Sequence, residues 1–148
     1  MPGIELFHAE LPPEYARPLM DAVSRGCVGF APFAIHLGGL AHTEDQRTIY
    51  LEVQEKGTVA ALRQRIVDHV QVNRRIKKLG LRVIERPMLV VASGLKQDQF
   101  NSAWALLAAQ TFTVQQRVSD VVLLKRELTD DSLDEHVRTV PLEHGAVF

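Results

Sequence analysis

Apolar and polar positions recur along this chain with two different periods, and the switches between them mark out its elements. Ile4-Glu5-Leu6-Phe7-His8-Ala9 is short and mostly apolar and predicts a strand almost at the start. Leu11-Pro12-Pro13 breaks it. From Glu14 to Val23, Tyr15, Leu19, Ala22 and Val23 follow helical spacing. Pro18 would remove a hydrogen bond from a helix interior, so the pattern predicts a loose turn and then a helix with Pro18 at its first position. Phe33, Ile35 and Leu37 line one face of an alternating strand, with His36 on the other. Gly38-Gly39 then bends the chain, and Thr48 to Val53 is a strand of high propensity. The two predict an antiparallel hairpin with a long loop.

Val59, Leu62, Ile66 and Val70 make the clearest helical stripe, opened by Thr58 as N-cap and closed at Gly80 after a frayed stretch. Leu81 to Ile84 suggests a short strand. Pro87 to Ala92 is a continuous apolar run, the pattern of a central strand buried on both faces. Asp98 is placed to cap a helix carrying Phe100, Ala103, Trp104 and Leu107, whose spacing marks core positions. Phe112 to Val118 alternates, and Val121 to Leu124 predicts another strand. Residues 129–148 read as a mostly irregular tail, with Val137 to Leu142 as a further edge strand.

One unit occurs twice. Pro2-Gly3-Ile4-Glu5-Leu6, a helix and a strand entered at Phe33 are matched by Pro87-Met88-Leu89-Val90-Val91, a helix and a strand entered at Phe112. The fold class this predicts is α+β: a bilobal, pseudo-twofold domain of two strand–helix–strand units, with antiparallel sheets around a central cleft.

Composition narrows the function classes. The 148 residues carry a net charge of −1, so no global field draws in nucleic acid or an anionic membrane. Cys27 is the one cysteine, which excludes an intramolecular disulfide and fits a reducing compartment. No apolar stretch is long enough to span a bilayer, and the N-terminus lacks the basic and apolar regions of a signal peptide, so the expectation is a cytoplasmic protein without a membrane partner. No cofactor is expected, because the sequence holds no cysteine pair, no His-x-x-x-His, no Asp-x-Asp loop and no phosphate-binding glycine loop.

Several stretches together resemble a known family. Leu11-Pro12-Pro13-Glu14, Pro32 to Leu40 with its glycine pair, Arg47 to Val53 followed by Leu62, and Arg86 to Ala92 are similar in order and spacing to the 2H phosphoesterases, which include 2′-5′ RNA ligases and cyclic nucleotide phosphodiesterases. The resemblance covers roughly residues 2–128. It implies a single domain, with a first lobe about 1–56, a second about 57–128 and a tail at 129–148. It also implies two Pro-preceded His-x-Thr/Ser strand motifs facing each other across the cleft. One histidine would take a proton from the attacking oxygen, the other would protonate the leaving oxygen, and the hydroxyls would hold the phosphate.

Carried over by position, the first motif falls on Gly3 for histidine and Glu5 for Thr/Ser. The second falls on Met88 for histidine and Val90 for Thr/Ser. Neither copy keeps an imidazole. On this placement the strand and helix that usually precede the first motif are absent, lost or supplied by another chain. A sheet edge left open in that way predicts self-association.

Among the six histidines, His36 and His8 are the candidates for residual chemistry, with Glu5 as their candidate carboxylate. His42 reads as a loop residue, His69 as helix surface, and His136 and His144 as tail residues. A carboxylate at Glu5 would repel a phosphate rather than hold it. Arg74, Arg75, Lys77, Lys78, Arg82 and Arg86 form the one basic cluster. Arg82 and Arg86 are its candidates for steering a nucleotide or small phosphorylated ligand, or RNA, though no aromatics are interleaved for base stacking.

Three readings follow. The chain is a degenerate 2H phosphoesterase-like module that binds without the two-histidine reaction; or an enzyme with repurposed cleft residues such as Glu5 and His36; or an unrelated dimeric α+β ligand-binding domain.

Overall fold

The computed structural model describes residues 3–110, 113–125 and 135–142. Its elements run β1 (Phe7–His8), a 3-10 turn (Pro13–Tyr15), α1 (Ala16–Cys27), β2 (Phe33–His42), β3 (Ile49–Val53), α2 (Lys56–Gln71), α3 (Arg74–Leu79), β4 (Arg82–Val83), β5 (Met88–Ala92), α4 (Gln97–Ala108), β6 (Thr113–Val118), β7 (Asp120–Lys125) and β8 (Glu135–Pro141). The class is mixed α+β with antiparallel sheets, as the alternation of periods predicts. The residues cluster into two compact units, each built from three separate stretches of chain. The division therefore cuts across the sequential lobes expected at about 1–56 and 57–128.

One unit (1–8, 34–60 and 83–117) holds a four-stranded sheet in the order β5-β3-β2-β6. β3 pairs antiparallel with both β2 and β5. Ile49, Leu51 and Val53 on one face of β3 are 0, 5 and 0% exposed, and Ile35 and Leu37 of β2 join them in the core. Phe100 of α4 is buried too, and its ring stacks on Trp104 with centroids 5.8 Å apart.

His42 is not a loop residue. It ends β2 opposite Ile49, edge-on to Phe100 and Trp104 at 5.1 and 4.8 Å, so it belongs to the seat of α4. The glycine pair bends β2 without ending it: the register shifts between Leu37 and Leu40, and Gly39 takes a φ of +83°. The expected long hairpin loop is a tight turn, because Asp45 accepts hydrogen bonds from the Thr43 hydroxyl at 2.5 Å and the Arg47 N–H at 3.1 Å. Those two bonds hold the Asp45 carboxyl below its ordinary pKa.

Three other expectations change. The first strand shrinks to Phe7–His8, continued by one bond from the Ile84 N–H to the Leu6 carbonyl, because its partner β4 has only two residues. β5 is not central: it is an outer strand of this sheet among the described residues, with Val90 and Val91 43 and 45% exposed. α4 starts before Asp98, with the Gln99 side chain accepting from the Lys96 N–H at 2.9 Å.

The second unit (9–33, 61–82 and 118–148) packs Ala22, Val23 and Cys27 of α1, Leu62, Ile66, Val67 and Val70 of α2, Ile76 of α3, and Val140 and Leu142 around a buried core. Pro18 sits in the first turn of α1, where its missing N–H has no helical partner to lose. α2 starts at Lys56, so Thr58 lies inside its first turn rather than capping it. Asn73 caps α3 by accepting from the Arg75 and Ile76 N–H groups, and Gly80 ends it at φ +90°. The expected tail is partly regular: β8 pairs antiparallel along β7, with Val140 opposite Val121. Phe112 and His144 lie outside the described residues.

Cys27 is 1% exposed, and burial pushes its thiol up to about 11, which leaves it packed and unreactive. Nearby, α1 approaches α2 so closely that a Cβ on Gly26 would lie 2.7 Å from the Ile66 Cα, a backbone atom. Gly26→Ala therefore loses about 1–3 kcal/mol to overpacking, despite the better helix propensity of alanine. Urea denaturation checks this, with the midpoint falling and the slope unchanged.

Candidate functional site

The register of β3 decides which side chains share a sheet face. Leu37 opposes Val53 and Leu89 opposes Leu51, and these four point into the core. The neighbours of those residues point the other way. Glu52 opposes Met88, Tyr50 opposes Val90, and His36, one residue before Leu37, lies on the same side. The second face thus gathers His36, Tyr50, Glu52, Met88 and Val90.

His36 is held there by a residue that sequence reasoning passed over. Glu55 accepts the His36 backbone N–H at 2.8 and 2.7 Å from its two oxygens, and its Oε1 lies 2.7 Å from the ring Nδ1. A carboxylate only accepts, so neutral His36 carries its proton on Nδ1 and keeps a lone pair on Nε2. The imidazole is 49% and the carboxylate 23% exposed. Partial burial pushes the Glu55 carboxyl up, but the His36 N–H, the ring hydrogen bond and the ring charge outweigh it and hold it below its ordinary value. Glu55 also stands immediately before α2, and its carbonyl accepts from the Val59 N–H, so its charge meets the favourable end of the helix. An acid between a strand and a helix was the available signal, but its partner follows only from the register.

The other predicted residues sit on several different elements. Arg86 is exposed and donates to the Tyr50 hydroxyl at 3.3 Å, a bond that raises its pKa further. Tyr50 is 4% exposed, so this guanidinium satisfies a buried phenol. Arg82 is exposed on β4 and His8 on β1. Gly3 and Glu5 are exposed on the irregular segment before β1. The carboxylate hydrogen-bonded to His36 is that of Glu55. Met88 is half-buried and Val90 exposed, so the expected second motif is an apolar strip. Among the described residues no three His, Cys, Asp or Glu side chains gather to hold a metal ion, and no helix is long and apolar enough to cross a membrane.

What this arrangement can do is limited by its proton carriers. One oriented imidazole with a free Nε2 can accept a proton; β5 offers none to donate a second, and the titratable groups sharing the face are Glu52 and the Tyr50 phenol that Arg86 engages.

Comparison with known proteins bears on the same stretch. A family model described as the 2′-5′ RNA ligase superfamily matches residues 2–130. The fold is similar to the crystal structure of TT0787 of Thermus thermophilus, at a TM-score of 0.63 and 15% identity over 92% of this chain and 74% of that one. It is also similar to a crystal structure of a phosphoesterase, at a TM-score of 0.57 and 12% identity over 90% and 71% of the two chains. No curated protein matches the sequence.

The clamp on β2 is testable through pH. Because the folded-state pKa of Glu55 is depressed, its contribution is fully present above the ordinary carboxylate range and is lost as pH falls through the lowered folded value. Amide exchange at His36, followed by NMR from pH 6 to pH 3, is expected to accelerate over that window beyond its intrinsic trend. In Glu55→Ala it is fast throughout, and the ring's Nδ1–H tautomer loses its dominance.

Proposed function

This chain belongs to the 2′-5′ RNA ligase superfamily, and we propose that it is a member that has lost the two-histidine reaction and acts in the cytoplasm as a binding or interaction module. The observation that carries this reading is the composition of the face shared by β2 and β5. On β2, His36 is followed two residues later by Gly38, and on β5, Met88 is followed by Val90. Neither strand presents an imidazole with a hydroxyl two positions on.

The flanking of β3 by β2 and β5 also moves the first motif. β2 is entered after Pro32 as β5 is entered after Pro87, and β1 and α1 precede it. On this placement the strand and helix ahead of the first motif are present, and the Gly3–Leu6 segment belongs to them. Both placements lack the histidine–hydroxyl pair, so the reading does not depend on the choice.

A positioned general acid or base contributes about 10²–10⁴-fold. With the acid missing, hydrolysis of 2′,3′-cyclic nucleotides or 2′-5′-linked dinucleotides is expected to stay at the rate of buffer alone. Turnover that disappears in His36→Ala or His8→Ala would overturn the reading. It would then favour a repurposed enzyme in which Glu55 orients His36, as a carboxylate orients the imidazole of a catalytic triad.

Self-association belongs to the same reading. β5 is an outer strand of the described sheet, and Met88 to Ala92 contains no charge or proline to discourage strand addition. Sedimentation is expected to show a dimer that Val91→Lys dissociates. A stable monomer at high concentration counts against it.

A further inference from the structure

The basic cluster that the sequence presents as one group is divided by the structure. Arg86 is taken up by Tyr50, whereas Arg74 and Arg75 open α3 at the rim of a hollow of about 570 Å³. The hollow is lined by Glu14, Tyr15, Pro18, Asn73, Arg74 and Arg75. All six belong to one compact unit. The hollow is open to solvent along one side, so a ligand there would stay partly exposed.

Its charges are left open. Among the described residues neither arginine forms an ion pair, and Glu14, which lines the same hollow, pairs with neither of them. The Asn73 side-chain oxygen is committed to the Arg75 and Ile76 N–H groups, at 3.1 and 3.2 Å, which leaves its amide NH₂ to donate. The remaining wall is the half-buried ring of Tyr15 and the ring of Pro18. One hollow therefore offers guanidinium and amide donors, a carboxylate acceptor, and the rings of Tyr15 and Pro18.

We propose that this hollow is a binding site for a small organic phosphate with a ring and a hydrogen-bond donor, the chemistry of a nucleoside monophosphate. The phosphate is taken by Arg74 and Arg75, whose planar donors match its oxygens. The ring lies against Tyr15 and Pro18, and a ligand hydroxyl or amino group donates to Glu14. Inorganic phosphate alone satisfies only the first of these and meets the carboxylate without compensation. The site shares no residue with the His36 face and stands whether or not that face retains any activity.

The experiment titrates the full chain with AMP, ribose 5-phosphate and inorganic phosphate by calorimetry at low salt. AMP is expected to bind at least tenfold more tightly than inorganic phosphate. Arg74→Gln and Arg75→Gln each weaken AMP by about tenfold, the scale of a lost charge-assisted hydrogen bond. Both positions are exposed, so these variants keep the fold. Backbone amide shifts locate the ligand independently of any variant: those of Tyr15, Asn73, Arg74 and Arg75 are expected to move. Three results would each overturn the proposal: no AMP binding at millimolar concentration, equal affinity for AMP and inorganic phosphate, or shifts confined to the His36 face. In that last case Glu55→Ala and Arg86→Gln would weaken AMP while Arg74→Gln would not, and the binding module proposed above would stand without this site.

Discussion

The hydrogen-bonded register of β3 is the constraint on which the arrangement of this sheet depends. Its Ile49, Leu51 and Val53 are all but fully buried, and the strand is paired on both sides. Burying such side chains is worth about 1.5–3 kcal/mol each. A slip of one residue would turn all three to the opposite face together. That penalty fixes the register, and the register then fixes which residues stand on the other side. His36, Tyr50, Glu52, Met88 and Val90 are neighbours there because Leu37, Leu51, Val53 and Leu89 must be neighbours in the core.

The parts of the structure legible in the sequence were those written in periodicity. The stripe Val59, Leu62, Ile66 and Val70 is buried as its spacing requires, at 4% exposure or less. The alternation at Phe33 to Leu37 placed Ile35 and Leu37 inside and His36 outside. A continuous apolar run such as Met88 to Ala92 carries no such phase. It reads the same for a central strand and for an outer one, so its position in the sheet was not readable. The partner of His36 was hidden for a related reason. Glu55 lies nineteen residues away, and its approach to His36 depends on a pairing that local pattern does not record. The turn at 43–48 was short because of the Asp45 carboxylate, whose bonds to Thr43 and Arg47 are specific contacts rather than propensities.

The His36–Glu55 pair also shows how an imidazole can be oriented by a contact that serves the fold. Two of the three contacts that Glu55 makes with His36 are to the backbone N–H, and only one is to the ring. The carboxylate ties β2 to the start of α2 whatever side chain position 36 carries. The ring therefore takes its orientation from a contact the fold already uses. An ordered histidine of this kind is by itself weak evidence for catalysis. Met88 and Val90 of β5 supply no second titratable group, and those that share the face are Tyr50 and Glu52 of β3.

Electrostatics separates the two surfaces in the same direction. The face bearing His36 carries the carboxylates of Glu52 and Glu55, and the guanidinium beside it is engaged by a buried phenol. A phosphate arriving there meets two like charges and a cation already in use, an unfavourable balance at any dielectric between water and protein interior. The hollow at Tyr15 reverses that balance, with two guanidiniums that form no ion pair among the described residues against one carboxylate. An anion is favoured where, among the described residues, the arginines form no ion pair. Arg86 stabilises the sheet by satisfying Tyr50, whereas Arg74 and Arg75 form no ion pair among the described residues. The phosphate site proposed above accordingly rests on Arg74 and Arg75, and it shares no residue with the face bearing His36.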